Sequence, residues 1–361
     1  MLIDSYELAC FIESRLDGRA LEAVVRFTKA RRHDGEPTAA AEDAVDASRA
    51  VVFLHAYAPL GGNMRNKVLE EIDRQVGRRV GLTIGLNMRG AGRSEGRTSW
   101  TGQAEQEDVR SLLDMLQARR LHLHAARHPA PDRRALVQQL HARGFAEMAD
   151  GSDGSDGSDS DDVDCVRLPR VEHTLLCGYS YGAMISGAIV GPDEYPQLAI
   201  DHAHISYPYG VVWALALHRR AWYLQRLSDA VAAAAVSHAA AIAGDSIEDT
   251  SDGSTNISDG SGPTTGSKHS SGSTRSTHQS CTLFVAGTCD SYTAAATYTR
   301  WWDQLQTRAL QAVATAHPQL GAADAAQAVA RALAVVRVAN ADHGWVRREA
   351  EVVDAIDAWW R

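Results

Sequence analysis

The sequence contains no run of about 18 strongly apolar residues, the length a membrane-spanning helix requires. Its longest candidate, AVAAAAVSHAAAIA at 230–243, is mostly alanine and carries His238. A basic n-region is also missing. The opening MLIDSYELACFIESRLD has acids at positions 4, 7 and 13, so it reads as neither a signal peptide nor a transit peptide. Cysteine is scarce: Cys10, Cys165, Cys177, Cys281 and Cys289, an odd number with no CxxC pair. That argues against a disulfide frame or a zinc site and for reduced thiols in a cytoplasmic protein. There is no basic excess either. The 36 Lys+Arg against 45 Asp+Glu give a net charge of -9. Phosphate recognition runs on positive charge, so a nucleic-acid surface is not expected, nor is an anionic membrane surface.

What is present has the balance of a globular protein, 361 residues with 45% apolar and 22% charged. One domain over 1–361 is expected. Two stretches lack the apolar content to offset chain entropy. These are the acidic Gly-Ser-Asp repeat at 149–164 and the low-complexity segment at 244–280, both expected to be flexible insertions. Elsewhere, short apolar runs alternate with helical patterns. ELACFIESRL and LEAVVRFTK, broken at Asp17-Gly18, predict an antiparallel hairpin. Strands are expected in 50–57, 80–87, 173–180, 198–210, 281–288 and 333–341. Helical spacing marks 66–76, 107–120 (Val109, Leu112, Leu113 and Leu116 on one stripe), 181–190 and the C-terminal segment from Val346 to Trp360. This is an α/β pattern with a largely parallel sheet. The alanine-rich segment 211–243 falls between two strands as a helical, cap-like insertion.

Open α/β sheets carry their chemistry at the carboxyl ends of the strands. The first candidate there is Gly178-Tyr179-Ser180-Tyr181-Gly182, a G-x-S-x-G between an apolar run and a helix. A sharp turn in that context strains the serine backbone and stands its Oγ clear of the sheet. A second match, Gly92-Arg93-Ser94-Glu95-Gly96, has neither strand before it nor helix after it, so Ser94 reads as a loop serine. Asp290, just past LFVAGT, is placed to accept a hydrogen bond from an imidazole, and His343 lies in the last loop before the C-terminal helix. Ser180, Asp290 and His343 follow one another in the order of an α/β-hydrolase triad. After VVFL come His55-Ala56-Tyr57 and a glycine-rich turn. Backbone N–H groups of Tyr57 and Tyr181 are the expected oxyanion donors, with His55 bracing the loop. The loop from Asn87 to Gly96 holds three glycines in seven residues but misses the GxGxxG register at Glu95. Arg89 is expected to pair with Glu105 or Asp108.

These blocks resemble the α/β-hydrolase superfamily. LHAYAPLGGNMRNKVLEEI, GLNMRGAGRSEG and GQAEQEDVRSLLDML are similar to a small serine-hydrolase group within it. That group reads HPHP-(L/Y)-GG-(x)2-N-K-V, N-x-R-G-x-G-x-S-x-G and G-x-x-E-x-x-D. CGYSYGAMIS, LFVAGTCD and NADHGW match its remaining blocks. One departure is His55-Ala56-Tyr57-Ala58, where the group has its two prolines. The resemblance implies an eight-stranded, mostly parallel hydrolase sheet with helices on both faces, and the Ser180/Asp290/His343 assignment.

The expected function is therefore hydrolysis of an ester or related acyl bond in a small-molecule substrate, through an acyl-enzyme and without metal or organic cofactor. Thioesterase or peptidase chemistry uses the same triad. A non-enzymatic scaffold or binding protein on the same fold is the reading of another class. Trp213, Trp222 and Tyr223 suggest an apolar wall over the site. His122, His124 and His128 read as a solvated face, and His202 and His204, on one side of a strand, as a packed or edge-facing pair.

Overall fold

A computed structural model describes residues 3–30, 45–145, 166–189, 194–244 and 279–360. The stretch 149–164 and nearly all of 244–280, expected as flexible insertions, lie outside the described residues, as does Cys165. The chain opens with β1 (Ile3–Glu13) and β2 (Ala20–Ala30), paired antiparallel from Ile3 opposite Ala30 to Glu13 opposite Ala20. This is the hairpin that the two apolar runs predict. β3 (Asp46–Leu54), α1 (Lys67–Gln75), β4 (Val80–Leu86) and α2 (Gln103–Ala118) follow. Asn66 caps α1 by accepting from the Val68 N–H at 3.0 Å, which fixes where that helix begins. β5 (Arg120–Leu121) pairs with β6 (Val166–Arg167) in a separate two-stranded sheet, with α3 (Ala130–Ala142) between them in sequence.

The second half runs β7 (His173–Tyr179), α4 (Tyr181–Ser186), β8 (Ala199–Ile205), α5 (Val212–Leu215), α6 (Arg220–Ala243), β9 (Thr282–Gly287), α7 (Ala295–Ala316), α8 (Ala322–Ala332), β10 (Leu333–Val338) and α9 (Glu349–Trp359). Eight strands form one sheet in the order β1-β2-β4-β3-β7-β8-β9-β10. β2 is antiparallel to both neighbours, and every pairing from β4 to β10 is parallel. This is the α/β-hydrolase fold.

Side chains alternate across each strand, so the sheet feeds two cores. Ala50, Val52, Leu54, Leu176 and Phe284 join α2, α4, α6, α7 and α8 on one face. Val51, Phe53, Leu175, Leu283 and Val285 join α1 and α9 on the other. The segment 211–243 forms α5, a short 3₁₀ turn and α6, and α6 packs against α7 and α8. Its Tyr223 is buried in the larger core, with its hydroxyl donating to Thr101 O at 2.8 Å, whereas Trp213 on α5 is exposed. The C-terminal helix begins later than the hydrophobic spacing suggests. Trp345 and Arg347 sit in left-handed backbone at φ 57° and 61°, which no α-helix accommodates, so α9 starts at Glu349 and Val346 projects from the preceding loop. Among the described residues no helix is long and apolar enough to cross a membrane. Cys10, Cys177, Cys281 and Cys289 are free.

β8 is buried along its whole length although it carries Asp201, His202 and His204. Asp201 accepts from Cys281 N–H at 2.8 Å and from Trp360 Nε1 at 3.0 Å. The two imidazoles stack at 5.6 Å, and Phe284 lies 4.9 Å from the second. Burial lowers the pKa of His202 to about 4 and that of His204 well below its ordinary value. The unfolded chain takes up these protons near pH ~6.5 and the folded chain does not. Stability is therefore full above about pH 6.5 and declines as the pH falls toward about 4, by an amount on the order of 3 kcal/mol for His202. Urea unfolding midpoints measured across this range should fall less steeply for His202→Gln than for the parent chain.

Candidate active site

Ser180 follows β7 directly, at φ 54° and ψ -113°. A serine pays for a positive φ with steric strain, so the conformation persists only where its surroundings enforce it. Here the flanking glycines allow that. A Cβ on Gly182 would stand 2.1 Å from Leu54 O, and one on Gly178 would stand 2.5 Å from Gly182 O. Only glycine lets α4 begin this close to the end of β3. The Ser180 N–H donates to Ile205 O at 2.8 Å, tying the turn to β8 as well.

Asp290 and His343 come from the loops after β9 and β10. Those loops are laced together: Thr288 N–H donates to Val338 O at 3.0 Å, Cys289 N–H to Ala341 O at 2.9 Å, and Asn340 N–H to Thr288 Oγ1 at 2.8 Å. His343 Nε2 lies 2.9 Å from Ser180 Oγ, and His343 Nδ1 lies 2.8 Å from Asp290 Oδ2. The ionised carboxylate only accepts, so the proton belongs on Nδ1 and Nε2 is left to accept from the serine hydroxyl. The other oxygen of Asp290, Oδ1, accepts from the N–H groups of Tyr292 at 2.8 Å and Thr293 at 3.0 Å. The Asp290 carboxylate is fully buried, whereas the imidazole keeps 11% of its side-chain surface open. Three side chains expected from their places at strand ends thus meet in one hydrogen-bonded chain.

Two further tyrosines hold His343, one at its backbone carbonyl and one against its ring, and neither contact is signalled by the amino-acid pattern. Tyr179 OH donates to His343 O at 2.7 Å, and the Tyr292 ring stands edge-on to the imidazole at 4.4 Å. Tyr179 lies inside the G-x-S-x-G block, but nothing in that block indicates a partner 164 residues away.

β3 ends at Leu54, so His55, Ala56 and Tyr57 lie in the loop beyond it rather than at the strand's end. His55 is buried. Its Nε2 accepts from Met88 N–H at 3.0 Å, which leaves the proton on Nδ1, 2.6 Å from Ala56 O. Burial lowers its pKa to about 4, against the opposing pull of the Ala56 carbonyl, so the ring is neutral at pH 7. The Ala56 carbonyl and the Tyr57 N–H belong to one trans peptide unit and point in opposite directions. Pinning the first therefore orients the second. The N–H groups of Tyr57 and Tyr181 have no acceptor among the described residues, and the two rings pack edge-on at 5.1 Å.

The remaining sequence candidates are held structurally. Ser94 Oγ donates to Asn87 O at 2.5 Å and accepts from Glu22 N–H at 2.8 Å. Arg89 pairs with Asp108 at 2.6 Å and Asp17 at 3.2 Å, while Glu105 accepts from Ser99 instead. His128 Nε2 accepts from Phe11 N–H at 2.9 Å. Among the described residues no group of three or more His, Cys, Asp or Glu is placed to hold a metal ion.

The strand order and the serine turn define the class of fold; comparison with known proteins adds particular likenesses. No protein-family model matches the chain, and no curated protein is similar to it in sequence. Solved structures similar to it include an alpha-beta serine hydrolase homologue from Coxiella burnetii, at 14% identity and a TM-score of 0.46, covering 97% of this chain and 96% of that one. Another is XC6422 from Xanthomonas campestris, described as an a/b serine hydrolase without lid, at 13% identity, a TM-score of 0.45, and coverage of 98% and 93%. Est1E from Butyrivibrio proteoclasticus, solved with ferulic acid, has 10% identity, a TM-score of 0.46 and 98% coverage of both chains. Likeness at this level carries no residue role or substrate across to this chain.

The close approach at Gly182 makes a direct prediction. Gly182→Ala forces the elbow off the end of β3, at a cost of about 1–3 kcal/mol or more. A lowered thermal midpoint together with loss of Ser180 labelling by a fluorophosphonate is the expected result.

Proposed function

We propose that this chain is a serine hydrolase that cleaves an ester or related acyl bond. The observation that supports it most directly is the unbroken chain Ser180 Oγ, His343 Nε2, His343 Nδ1, Asp290 Oδ2, with links of 2.9 and 2.8 Å. Ser180 Oγ attacks the substrate carbonyl as its proton passes to His343 Nε2. Asp290 accepts from Nδ1–H throughout and stabilises the imidazolium by its charge. The carbonyl oxygen becomes an oxyanion, held by the N–H groups of Tyr57 and Tyr181. Such a donor is worth about 3–4 kcal/mol in measured systems. Collapse of the tetrahedral adduct expels the leaving group, which takes the proton from Nε2. Water then attacks the acyl-serine by the same proton route and releases the acid. His55 is a positioning residue in this scheme, because it orients the peptide that carries the Tyr57 donor.

Fluorophosphonate labelling followed by a panel of acyl esters, thioesters and peptides tests the reading. Labelling should be lost in Ser180→Ala, and Asp290→Asn should lower kcat by about 10⁴-fold. A chain that takes no label is a scaffold, and the proposal then fails. Misplacing one oxyanion donor should lower kcat by about 10²–10³-fold. His55→Leu should approach that loss with little change in KM, whereas a purely structural role would lower thermal stability without this kcat-specific effect.

A further inference from the structure

Large apolar side chains left in water on this molecule are not scattered evenly. Leu60, Trp100, Trp213, Leu217, Tyr292 and Val346 are exposed, Leu60 and Trp100 by 74% each. Every one lies in the connection leaving the carboxyl end of a parallel strand: β3, β4, β8 (for both Trp213, on α5, and Leu217), β9 and β10. Among the described residues, the other three exposed large apolar side chains lie apart, Ile3 at the start of β1, Leu16 at the hairpin tip and Leu310 on α7.

Hydrogen bonds and ring contacts link the segments that carry the six into a collar. The Trp100 loop is tied to the start of α6 by Tyr223 OH donating to Thr101 O at 2.8 Å and by Arg219 donating to Gln103 Oε1 at 2.8 Å, which brings Leu217 alongside. α5, with Trp213, is joined to the Tyr292 loop by Gly210 N–H donating to Thr293 Oγ1 at 3.0 Å. Tyr292 stands against His343, and Val346 follows three residues later. Leu60 N–H donates to Tyr57 O at 3.0 Å, and the Tyr57 ring packs on Tyr181 beside the nucleophile. The loops of this collar therefore leave the same edge of the sheet as the Ser180 turn.

Its charges are positive. Exposed Arg97, Arg220 and Arg347 interleave with the apolar residues, and none is ion-paired with a carboxylate among the described residues. The exposed acid among them is Asp342. The chain's net charge of -9 hides this local excess. Aromatic and aliphatic tips among arginines suit a boundary between anionic head groups and acyl chains.

We infer that this collar docks on an anionic lipid surface. The substrate would then be an ester with an apolar acyl chain presented from that surface. The substrate half rests on the serine-hydrolase reading; the docking half does not. The test uses the full chain carrying Ser180→Ala, so that binding is measured without turnover, and sediments it with phosphatidylglycerol or phosphatidylcholine vesicles. Binding to phosphatidylglycerol that weakens with added salt is expected. Adding Trp100→Ala and Trp213→Ala should weaken it by about tenfold or more. Both tryptophans are exposed, so an unchanged thermal midpoint will show that the variant is folded. Failure to bind phosphatidylglycerol, equal binding to both lipids, undiminished binding by the tryptophan variant, or a collar-dependent dimer in solution overturns the inference. Vesicle binding by a parent chain that takes no fluorophosphonate would sink the hydrolase reading alone.

Discussion

The contact between the first turn of α4 and the last residue of β3 sets the geometry of everything around it. With no side chain at position 182, the helix starts against the carbonyl of Leu54. That closeness holds Ser180 in its left-handed conformation and places the Tyr181 peptide beside the Tyr57 loop. The strain at the serine is sustained by packing on both sides, with the Ser180 N–H bonded to β8 and the glycines nested into β3. The Ser180 hydroxyl is thereby fixed at the edge of the sheet.

From that fixed point the rest of the site is assembled by hydrogen bonds between loops. Asp290 and His343 lie in the loops after neighbouring parallel strands, and those loops exchange backbone hydrogen bonds that tie the carboxylate and imidazole together. Tyr179 joins this unit to the serine turn by holding the His343 carbonyl. On the opposite side, His55 links the loops after β3 and β4 through Met88, and its neutral ring sets one peptide plane. Apart from the His55–Ala56 contact, each of these bonds spans dozens of residues in sequence and only a few ångströms in space.

The same edge of the sheet carries both the buried polar chain and the exposed apolar collar. Burial keeps the Asp290 carboxylate dry, while the imidazole retains a small opening. The loops at that edge expose tryptophan, leucine and three arginines with no carboxylate partner among the described residues, against one exposed acid, Asp342. Whole-chain charge is thus a poor guide to the surface a partner meets, because it averages over faces with different neighbours.

Much of this was legible without coordinates. Period-two apolar runs and helical stripes specified an α/β sheet with a leading hairpin, because alternation and 3.6-residue spacing are local properties of the chain. G-x-S-x-G after an apolar run singled out Ser180 over Ser94, and chain order singled out Asp290 and His343. Other features were not legible. Spacing carried the C-terminal helix back to Val346, but the left-handed backbone at Trp345 and Arg347 delays it. Aromatics in 211–243 suggested a wall, yet Tyr223 turns into the core. The amino-acid order by itself determined which residues could react and which strands could form, since both follow from side-chain chemistry and nearest neighbours. Tertiary structure alone decided that Tyr179 holds the His343 carbonyl, that His55 aims a peptide, and that six exposed apolar residues share one sheet edge with the serine. Those relations depend on strands far apart in sequence being laid side by side.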